Sequence, residues 1–234
     1  MSRVAIITAR GGSKRIPRKN IRLFHGKPVI AYAISVAQKS GLFDEIMVST
    51  DDQEIADVSS KFGAKIPFLR SAENSNAMAG TLDVLKEVLK NYENRGQRFD
   101  EMCCLYPISP LIDENALIEA CQKLQGNLAD FVVPVAKYST PIQRALKIDH
   151  GRLLMADPSN LKIRSQDLAP RYFDVGQFYF AKTEPLLKAE SLFSDRTAAY
   201  EVDEFSVQDV DNESDWKMLE LKYLLRTGSL KNIE

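Results

Sequence analysis

The chain has 234 residues, of which 44% are hydrophobic, and its 31 basic and 32 acidic residues leave a formal net charge of −1. This length and composition suit a single domain, spanning residues 1–234, that buries a sizeable core. The balanced charge excludes the global basic field that draws proteins to nucleic acid, so any recognition of anions must be local.

Apolar runs of strand length alternate with segments of helical period, a pattern typical of an α/β sheet built from βαβ units. We predict strands at residues 4–8, 45–49, 101–106, 130–135 and 177–181. We predict helices at residues 28–39, 53–62, 81–91, 115–124 and 212–225. Residues 136–175 interrupt this rhythm, since they are polar, contain several prolines and carry only a weak hairpin signal at residues 149–151. We interpret them as an excursion from the sheet.

The composition also indicates a cytoplasmic protein. The three cysteines, Cys103, Cys104 and Cys121, have neither metal-ligand spacing nor the density of a secreted disulfide scaffold, which favours a reducing cytosol. The first residues place an apolar run before a basic loop, the reverse of a secretory signal. No apolar stretch approaches the roughly 20 residues that cross a bilayer, so we expect no membrane insertion.

A glycine-rich basic turn follows the first predicted strand. In a parallel α/β sheet, ligands bind beyond the carboxyl ends of the strands, which is where this turn would lie. Gly11 and Gly12 let backbone N–H groups approach phosphate oxygens, while Arg10, Lys14 and Lys19 supply positive charge. The turn matches neither the P-loop nor the G-x-G-x-x-G pattern. A solvated basic turn is the alternative, but the position after the first strand favours a polyphosphate site.

Asp209 and Asp211 lie two residues apart far down the chain. In an extended segment alternate side chains share a face, so both carboxylates could bind one hard cation such as magnesium. The alternative is two surface aspartates that interact favourably with the positive end of the following helix. The spacing alone supports both interpretations equally.

Other polar residues carry weaker signals. Arg70, Arg144 and Arg164 suit bidentate capture of carboxylate or phosphate, although composition alone favours ordinary surface arginines. Residues 106–110 end a strand with small polar groups and a stiff turn, which suits a crevice or an ordinary loop. Asp51 and Asp52 are most simply a helix cap.

Several ordered blocks resemble the CMP-sialic acid synthetases, cytidylyltransferases that activate nine-carbon acidic sugars. The blocks are ITARGGSKRIPRKN at residues 7–20, VSTDD at 48–52, FLR at 68–70, YPISPL at 106–111 and DVD at 209–211. The resemblance implies a Rossmann-like, three-layer αβα nucleotidyltransferase fold with a mostly parallel sheet, CTP as donor, magnesium, and attack of the anomeric hydroxyl on the α-phosphate. It also implies a homodimer in which residues 136–175 form the dimerisation extension.

By this resemblance the catalytic residues are Arg10, Lys19, Asp209 and Asp211, of which Asp209 and Asp211 bind the metal. The implied nucleotide-binding residues are Ala9, Arg10, Gly11, Gly12, Ser13, Lys14, Lys19, Asn20, Arg70 and Ser75. The candidates for sugar contacts are Tyr106, Gln143, Arg144, Arg164 and Gln177.

The chain departs from the sialic acid enzymes at Tyr106, where they usually carry glutamine. The arginine that they usually carry shortly before the glycine of the later sugar-binding strand is also not evident near Phe173 and Asp174. The blocks at residues 138–146, 164–168 and 174–179 look more like the bacterial pseudaminic acid cytidylyltransferases, which implies pseudaminic acid as the sugar and a role in glycan biosynthesis, including flagellin glycosylation.

Three kinds of alternative stay open at this point. A sialic, legionaminic or Kdo cytidylyltransferase would differ in the sugar that it accepts. A non-catalytic nucleotide-binding module would keep the turn without turnover, but the presence of Arg10, Lys19, Asp209 and Asp211 together weighs against it. A dinucleotide oxidoreductase would need the missing glycine fingerprint.

Overall fold

The computed structural model describes residues 1–13, 15–76, 78–126 and 128–229. The strands of this part of the chain are β1 (Arg3–Thr8), β2 (Leu23–Phe24), β3 (Lys27–Pro28), β4 (Glu45–Ser49), β5 (Glu101–Leu105), β6 (Phe131–Lys137), β7 (Leu146–Asp149), β8 (Arg152–Met155), β9 (Tyr172–Asp174), β10 (Phe178–Lys182) and β11 (Thr197–Glu201). The α-helices are α1 (Ile30–Ser40), α2 (Gln53–Lys61), α3 (Thr81–Glu93), α4 (Glu114–Gly126), α5 (Thr183–Lys188) and α6 (Glu213–Arg226).

All five predicted strands and all five predicted helices occur, with ends that differ by at most two residues. The start of α1 shows why ends move: Pro28 pairs with Leu23 in the β2–β3 hairpin, so the helix begins at Ile30 rather than at residue 28. The start of α6 follows the prediction, because the side chain of Asn212 accepts the backbone N–H groups of Ser214 and Asp215. Strands β2, β3, β9 and β11 and helix α5 were not predicted.

The main sheet has seven strands in the order β11-β6-β10-β5-β1-β4, with β9 also paired to β6. Strands β4, β1, β5, β6 and β11 run in one direction, while β10 and β9 run against them. The predicted α/β fold with a mostly parallel sheet is therefore confirmed.

Each face of the sheet is covered by helices, which makes three layers. In β1, Ala5 and Ile7 point to a core that contains Ile34 of α1 and Leu117 of α4. The alternate residues Val4 and Ile6 point to a second core that contains residues of α3 and α5. This alternation is what a strand buried on both faces requires. The parallel pairing of β1 with β4 and with β5 brings the carboxyl ends of these strands to one edge.

The excursion is shorter than the predicted range of residues 136–175. Ala136 pairs with Phe173 and Lys137 pairs with Tyr172 in the main sheet, so residues 138–171 form the part outside it. Its centre is the β7–β8 hairpin, whose turn residues His150 and Gly151 both have positive φ. The weak hairpin signal at residues 149–151 is thus confirmed.

The three cysteines are free and buried. None of the described helices is long and apolar enough to cross a membrane.

Candidate active site

A cleft of about 320 Å³ opens at the carboxyl ends of β1, β4 and β5. The predicted site residues that line it are Arg10, Ser13, Lys19, Asn20, Arg70, Tyr106 and Asp209. Ala9, Gly11, Gly12, Ser75 and Asp211 lie beside it without lining it, and Lys14 lies outside the described residues. The cleft is at the edge of the sheet where a parallel α/β fold places its ligands.

The turn after β1 is held in place by the start of α2. Arg18, which adopts a left-handed conformation with φ of 55°, donates to both carboxylate oxygens of Asp52 at 2.5 and 2.9 Å, and it also contacts Glu54. This pairing, together with backbone hydrogen bonds, lowers the pKa of Asp52 to about 2. Asp52 also caps α2 by accepting the N–H of Ile55 at 3.0 Å. The predicted cap is confirmed, and it also anchors the turn.

Asp51 and Asn20 fix the backbone on either side of the turn. Asp51 Oδ1 accepts the N–H of Gly11 at 2.9 Å, and Asn20 Nδ2 donates to the carbonyl of Arg10 at 2.9 Å. The N–H of Ala9 is committed to the carbonyl of Ser49 at 2.9 Å. These backbone groups of the turn are therefore used in hydrogen bonds within the protein. The positive charges that face the cleft come from side chains.

Gly11 is required by close packing against Asp52. A Cβ atom at position 11 would lie 2.7 Å from Asp52 Oδ2 and 2.9 Å from Asp52 Cβ, whereas one at Gly12 meets nothing within 4 Å. We expect Gly11→Ala to lower the free energy of unfolding by about 1–3 kcal/mol, as overpacking does, because Arg18 prevents Asp52 from moving aside. Gly12→Ala is the matched control, and chemical denaturation that showed equal losses for both variants would contradict this reading.

Lys19 joins the turn to the segment that carries the aspartate pair. Its Nζ atom donates to the carbonyl of Val210 at 2.6 Å, although the two residues lie 191 positions apart. Burial lowers the pKa of Lys19, while the nearby carboxylates of Asp211 and Asp209 act in the opposite direction. Arg15 makes an exposed ion pair with Asp211 at 2.7 Å. The cationic turn and the aspartates thus meet at one site.

The aspartate pair could supply some of the ligands of one magnesium ion. Among the described residues no cluster of three or more acidic, histidine or cysteine side chains is arranged to hold a metal. Asp209 and Asp211 flank buried Val210, and both lie close enough to influence Lys19. Magnesium is commonly held by one or two carboxylates together with substrate phosphates and water, so two carboxylates beside a phosphate site are a suitable donor set.

Arg70 is a buried cation rather than a surface arginine, so the interpretation that composition favoured is wrong here. It is only 9% exposed, and its guanidinium donates to Ser49 Oγ at 3.0 Å and to the Ser49 carbonyl at 2.6 Å. Burial lowers its pKa. Among the described residues it makes no ion pair, so an anionic ligand in the cleft would complete its surroundings.

The predicted sugar contacts do not all reach this cleft. Tyr106 lines it. The side-chain amide of buried Gln177 instead donates to the carbonyl of Ser206 at 2.5 Å. Gln143, Arg144 and Arg164 lie in the excursion and donate hydrogen bonds to other residues of it. Gln143 donates to the Ala169 carbonyl at 2.7 Å and Arg144 to the Ile163 carbonyl at 3.2 Å. Arg164 donates to Asp167 at 2.7 Å. The structure does not bring these three residues to the cleft of their own chain.

Some lining residues were not singled out from the sequence: Asn74, Asn76, Thr81 and Gln208. Arg10 donates to the carbonyl of Asn76 at 3.1 Å, which shapes the far wall. The one feature of the sequence that could have pointed to Asn74 and Asn76 is their position, since residues 71–80 join Arg70 to the start of α3. Their amide and hydroxyl groups carry no charge pattern that would distinguish them from an ordinary loop.

A three-layer fold whose cleft gathers buried Arg70 and partly buried Arg10 and Lys19 beside a carboxylate pair is typical of the nucleotidyltransferase class. Residues 4–225 match the sequence profile of the cytidylyltransferases, and the chain belongs to this family. It is 38% identical over 224 residues to the pseudaminic acid cytidylyltransferase of Campylobacter jejuni, an alignment that covers 95% of this chain and 97% of that protein.

Two further proteins extend the comparison. The post-translational flagellin modification protein B of Campylobacter coli is 31% identical over 231 residues, with coverage of 96% of this chain and 95% of that protein. The fold matches a CMP:2-keto-3-deoxy-manno-octonic acid synthetase solved with CTP, with a TM-score of 0.71, 18% identity, and coverage of 98% of this chain and 100% of that one. At that identity the match supports the fold alone.

Proposed function

We propose that the protein transfers CMP from CTP to the anomeric hydroxyl of a nine-carbon acidic sugar, pseudaminic acid, and releases pyrophosphate. The observation that carries this proposal is that Arg10, Lys19, Arg70 and Asp209 line one cleft, with Asp211 beside it and close enough to act on Lys19. The 38% identity to a pseudaminic acid cytidylyltransferase supports the choice of sugar. The product would serve glycan biosynthesis, including flagellin glycosylation, in a reducing cytosol where the three cysteines stay free.

The chemistry needs positioning and charge neutralisation more than a covalent intermediate. The sugar oxygen attacks the α-phosphorus, the bond from that phosphorus to the bridging oxygen breaks, and pyrophosphate carries the electrons away. Arg10 and Lys19 would bind the phosphates, and the buried guanidinium of Arg70 would pair with an anionic group of the nucleotide. Magnesium, when held by Asp209 and Asp211, supplies screening of the charge that grows on the leaving group. A carboxylate near the sugar hydroxyl accepts its proton.

The test is product identification with a panel of acidic sugars. The protein is incubated with CTP, magnesium and either pseudaminic, legionaminic, sialic acid or Kdo, and the products are identified by mass spectrometry while pyrophosphate release is timed. We expect the CMP-sugar with the highest kcat/KM from pseudaminic acid. A higher kcat/KM with another of these sugars would identify that sugar as the substrate instead. Absence of product from all four sugars would contradict the transferase activity and favour a nucleotide-binding module.

We also propose a homodimer built on the excursion. In the β7–β8 hairpin, Leu146 faces Met155 and Ile148 faces Leu153, so these side chains share one face. Ile148 is 78% exposed and Leu153 is 65% exposed. A contiguous exposed apolar face marks an interaction site, and a second copy would let Gln143, Arg144 and Arg164 reach the neighbouring cleft.

We expect Ile148→Asp combined with Leu153→Asp to convert a dimer into a monomer, because two charges would be buried in the apolar interface. Sedimentation velocity measures the change. Lys147→Glu is the control, since Lys147 lies on the opposite face of the same strand and should leave the dimer intact. A wild-type protein that sediments as a monomer at micromolar concentration would overturn the dimer proposal.

A further inference from the structure

Lys222 on α6 binds the backbone of the segment that leads to the aspartate pair. Its Nζ atom donates to the carbonyl of Val207 at 2.5 Å and to the carbonyl of Glu204 at 3.1 Å. The side chain is partly buried, and this burial lowers the pKa of Lys222, while Glu204 and Asp203 act in the opposite direction. Lys222 makes no ion pair among the described residues, so its hydrogen bonds go to the main chain of this segment.

Two other side chains bind carbonyls of the same segment. Gln177 donates to the carbonyl of Ser206 at 2.5 Å, and Lys19 donates to the carbonyl of Val210 at 2.6 Å. Residues 204–210 thus have four backbone carbonyls that accept hydrogen bonds from side chains outside the segment. The donors come from three separate parts of the fold: the turn after β1, the residue before β10, and α6.

These hydrogen bonds are important because the segment has no regular structure of its own. Residues 207–212 lie in neither a helix nor a strand. Val207 and Val210 are buried, each in a different small apolar cluster. Asp209 is exposed and Asp211 is partly exposed. The backbone is therefore fixed by contacts with the rest of the fold, while the two carboxylates stay available to a ligand.

We propose that Lys222 is a positioning residue for the metal-dependent reaction, because it fixes the backbone that places Asp209 and Asp211 before magnesium binds. Lys222 does not line the cleft, so it would act through the segment rather than by contact with a substrate. Gln177, whose amide is used in the same way, shares this role. The inference rests on the proposed function, because it assigns the aspartate pair to the metal.

Preorganisation gives this role a measurable signature. If the segment were loosened, it would be competent to bind metal for only a fraction of the time, and the apparent affinity for magnesium would fall by that fraction. Saturating magnesium would then restore turnover. A lysine that only stabilised the fold would instead change the amount of folded enzyme, which lowers kcat and leaves the magnesium requirement unchanged.

Lys222→Met tests this signature, since methionine is also unbranched but cannot donate a hydrogen bond. We expect the magnesium concentration for half-maximal turnover to rise about tenfold, with kcat at saturating magnesium within about threefold of wild type. Lys222→Arg keeps a charged donor and should stay within about threefold of wild type in both quantities. Lys217→Met is the matched control, because Lys217 is exposed on the same helix.

Two further measurements do not depend on turnover. Hydrogen exchange in the metal-free protein, followed by mass spectrometry, should be faster across residues 204–211 in Lys222→Met than in wild type, and unchanged in β1 and β5. Manganese is then titrated, with electron paramagnetic resonance as the readout, in the presence of a CTP analogue that has an uncleavable methylene bridge between the α- and β-phosphorus. We expect the Kd for manganese to rise about tenfold in Lys222→Met.

Gln177→Met is a second variant that removes one hydrogen bond rather than two. It should raise the same manganese Kd by about threefold, a change that a sugar ligand at this position would not cause. It also keeps the proposal testable if Lys222→Met does not fold, which thermal unfolding would show.

The outcomes separate this proposal from the proposed function. Weaker manganese binding and faster exchange in Lys222→Met, with wild-type values in Lys217→Met, support the positioning role. Unchanged manganese binding, or a loss of kcat that saturating magnesium does not restore, would overturn it and leave the cytidylyltransferase activity standing. If the wild type bound manganese with the CTP analogue but turned over no acidic sugar, the proposed function would fail, and the manganese titration would still decide the role of Lys222.

Discussion

Asp209→Asn and Asp211→Asn should each lower kcat by about a thousandfold in excess magnesium, which corresponds to about 4 kcal/mol of lost transition-state stabilisation. The physical reason is charge. Each substitution replaces a carboxylate by a neutral amide of the same shape, which weakens the binding of a hard cation beside the phosphates. Both carboxylates lie close enough to Lys19, which lines the cleft, to act on its charge, so the effect should appear in turnover rather than in folding.

The fold should tolerate these changes because little structure depends on the carboxylates. The ion pair of Asp211 with Arg15 is exposed, with side chains 40% and 69% accessible, and exposed pairs contribute little to stability. The carboxylate of Asp209 accepts only its neighbour's N–H, from Val210 at 2.8 Å, among the described residues. Thermal unfolding of both variants should therefore stay close to that of the wild type.

The measurement is steady-state pyrophosphate release over a magnesium titration, with Asp195→Asn as the control, since Asp195 is an exposed aspartate outside the cleft. A chelator should abolish wild-type turnover and added magnesium should restore it. Wild-type kcat in Asp209→Asn or Asp211→Asn, or turnover that persists in chelator, would reject the metal role of the pair.

The part of the site that sequence could predict depends on local signals. The glycine-rich turn follows β1 directly, and Asp52 stands where a helix cap belongs, so residue type and order were enough to place both. The meeting of this turn with Asp209 and Asp211 was expected from the resemblance to known enzymes, because no local pattern relates residues 191 positions apart.

The parts that were not predicted depend on tertiary contacts. Strand β11 pairs in parallel with β6 at the edge of the sheet, and its sequence, TAAYE, has no apolar run to mark it. The burial of Arg70 follows from its contacts with Ser49, which is 21 positions away. Gln177 has the residue type of a sugar ligand, but the nearby carbonyl of Ser206 takes its amide. Composition carries no information about such partners.

Lys19→Arg should keep measurable activity and move the alkaline limb of the kcat/KM profile to higher pH, whereas Lys19→Met should lower kcat/KM by about a hundredfold or more. Burial lowers the pKa of Lys19, so in the free enzyme this ammonium loses its proton at a lower pH than an exposed lysine would. As pH rises through that pKa the cleft loses a positive charge, and binding of the triphosphate weakens. An arginine stays charged throughout this range.

The profile of kcat/KM is the correct measurement because it reports groups of the free enzyme, before an anionic substrate raises the pKa of Lys19 again. Lys61→Arg is the control, since Lys61 is exposed at the end of α2 and should leave the profile unchanged. An alkaline limb at the same pH in wild type and Lys19→Arg would assign that limb to another group. It would also mean that Lys19 acts through its hydrogen bond to Val210, as a brace for the aspartate segment rather than as a charge.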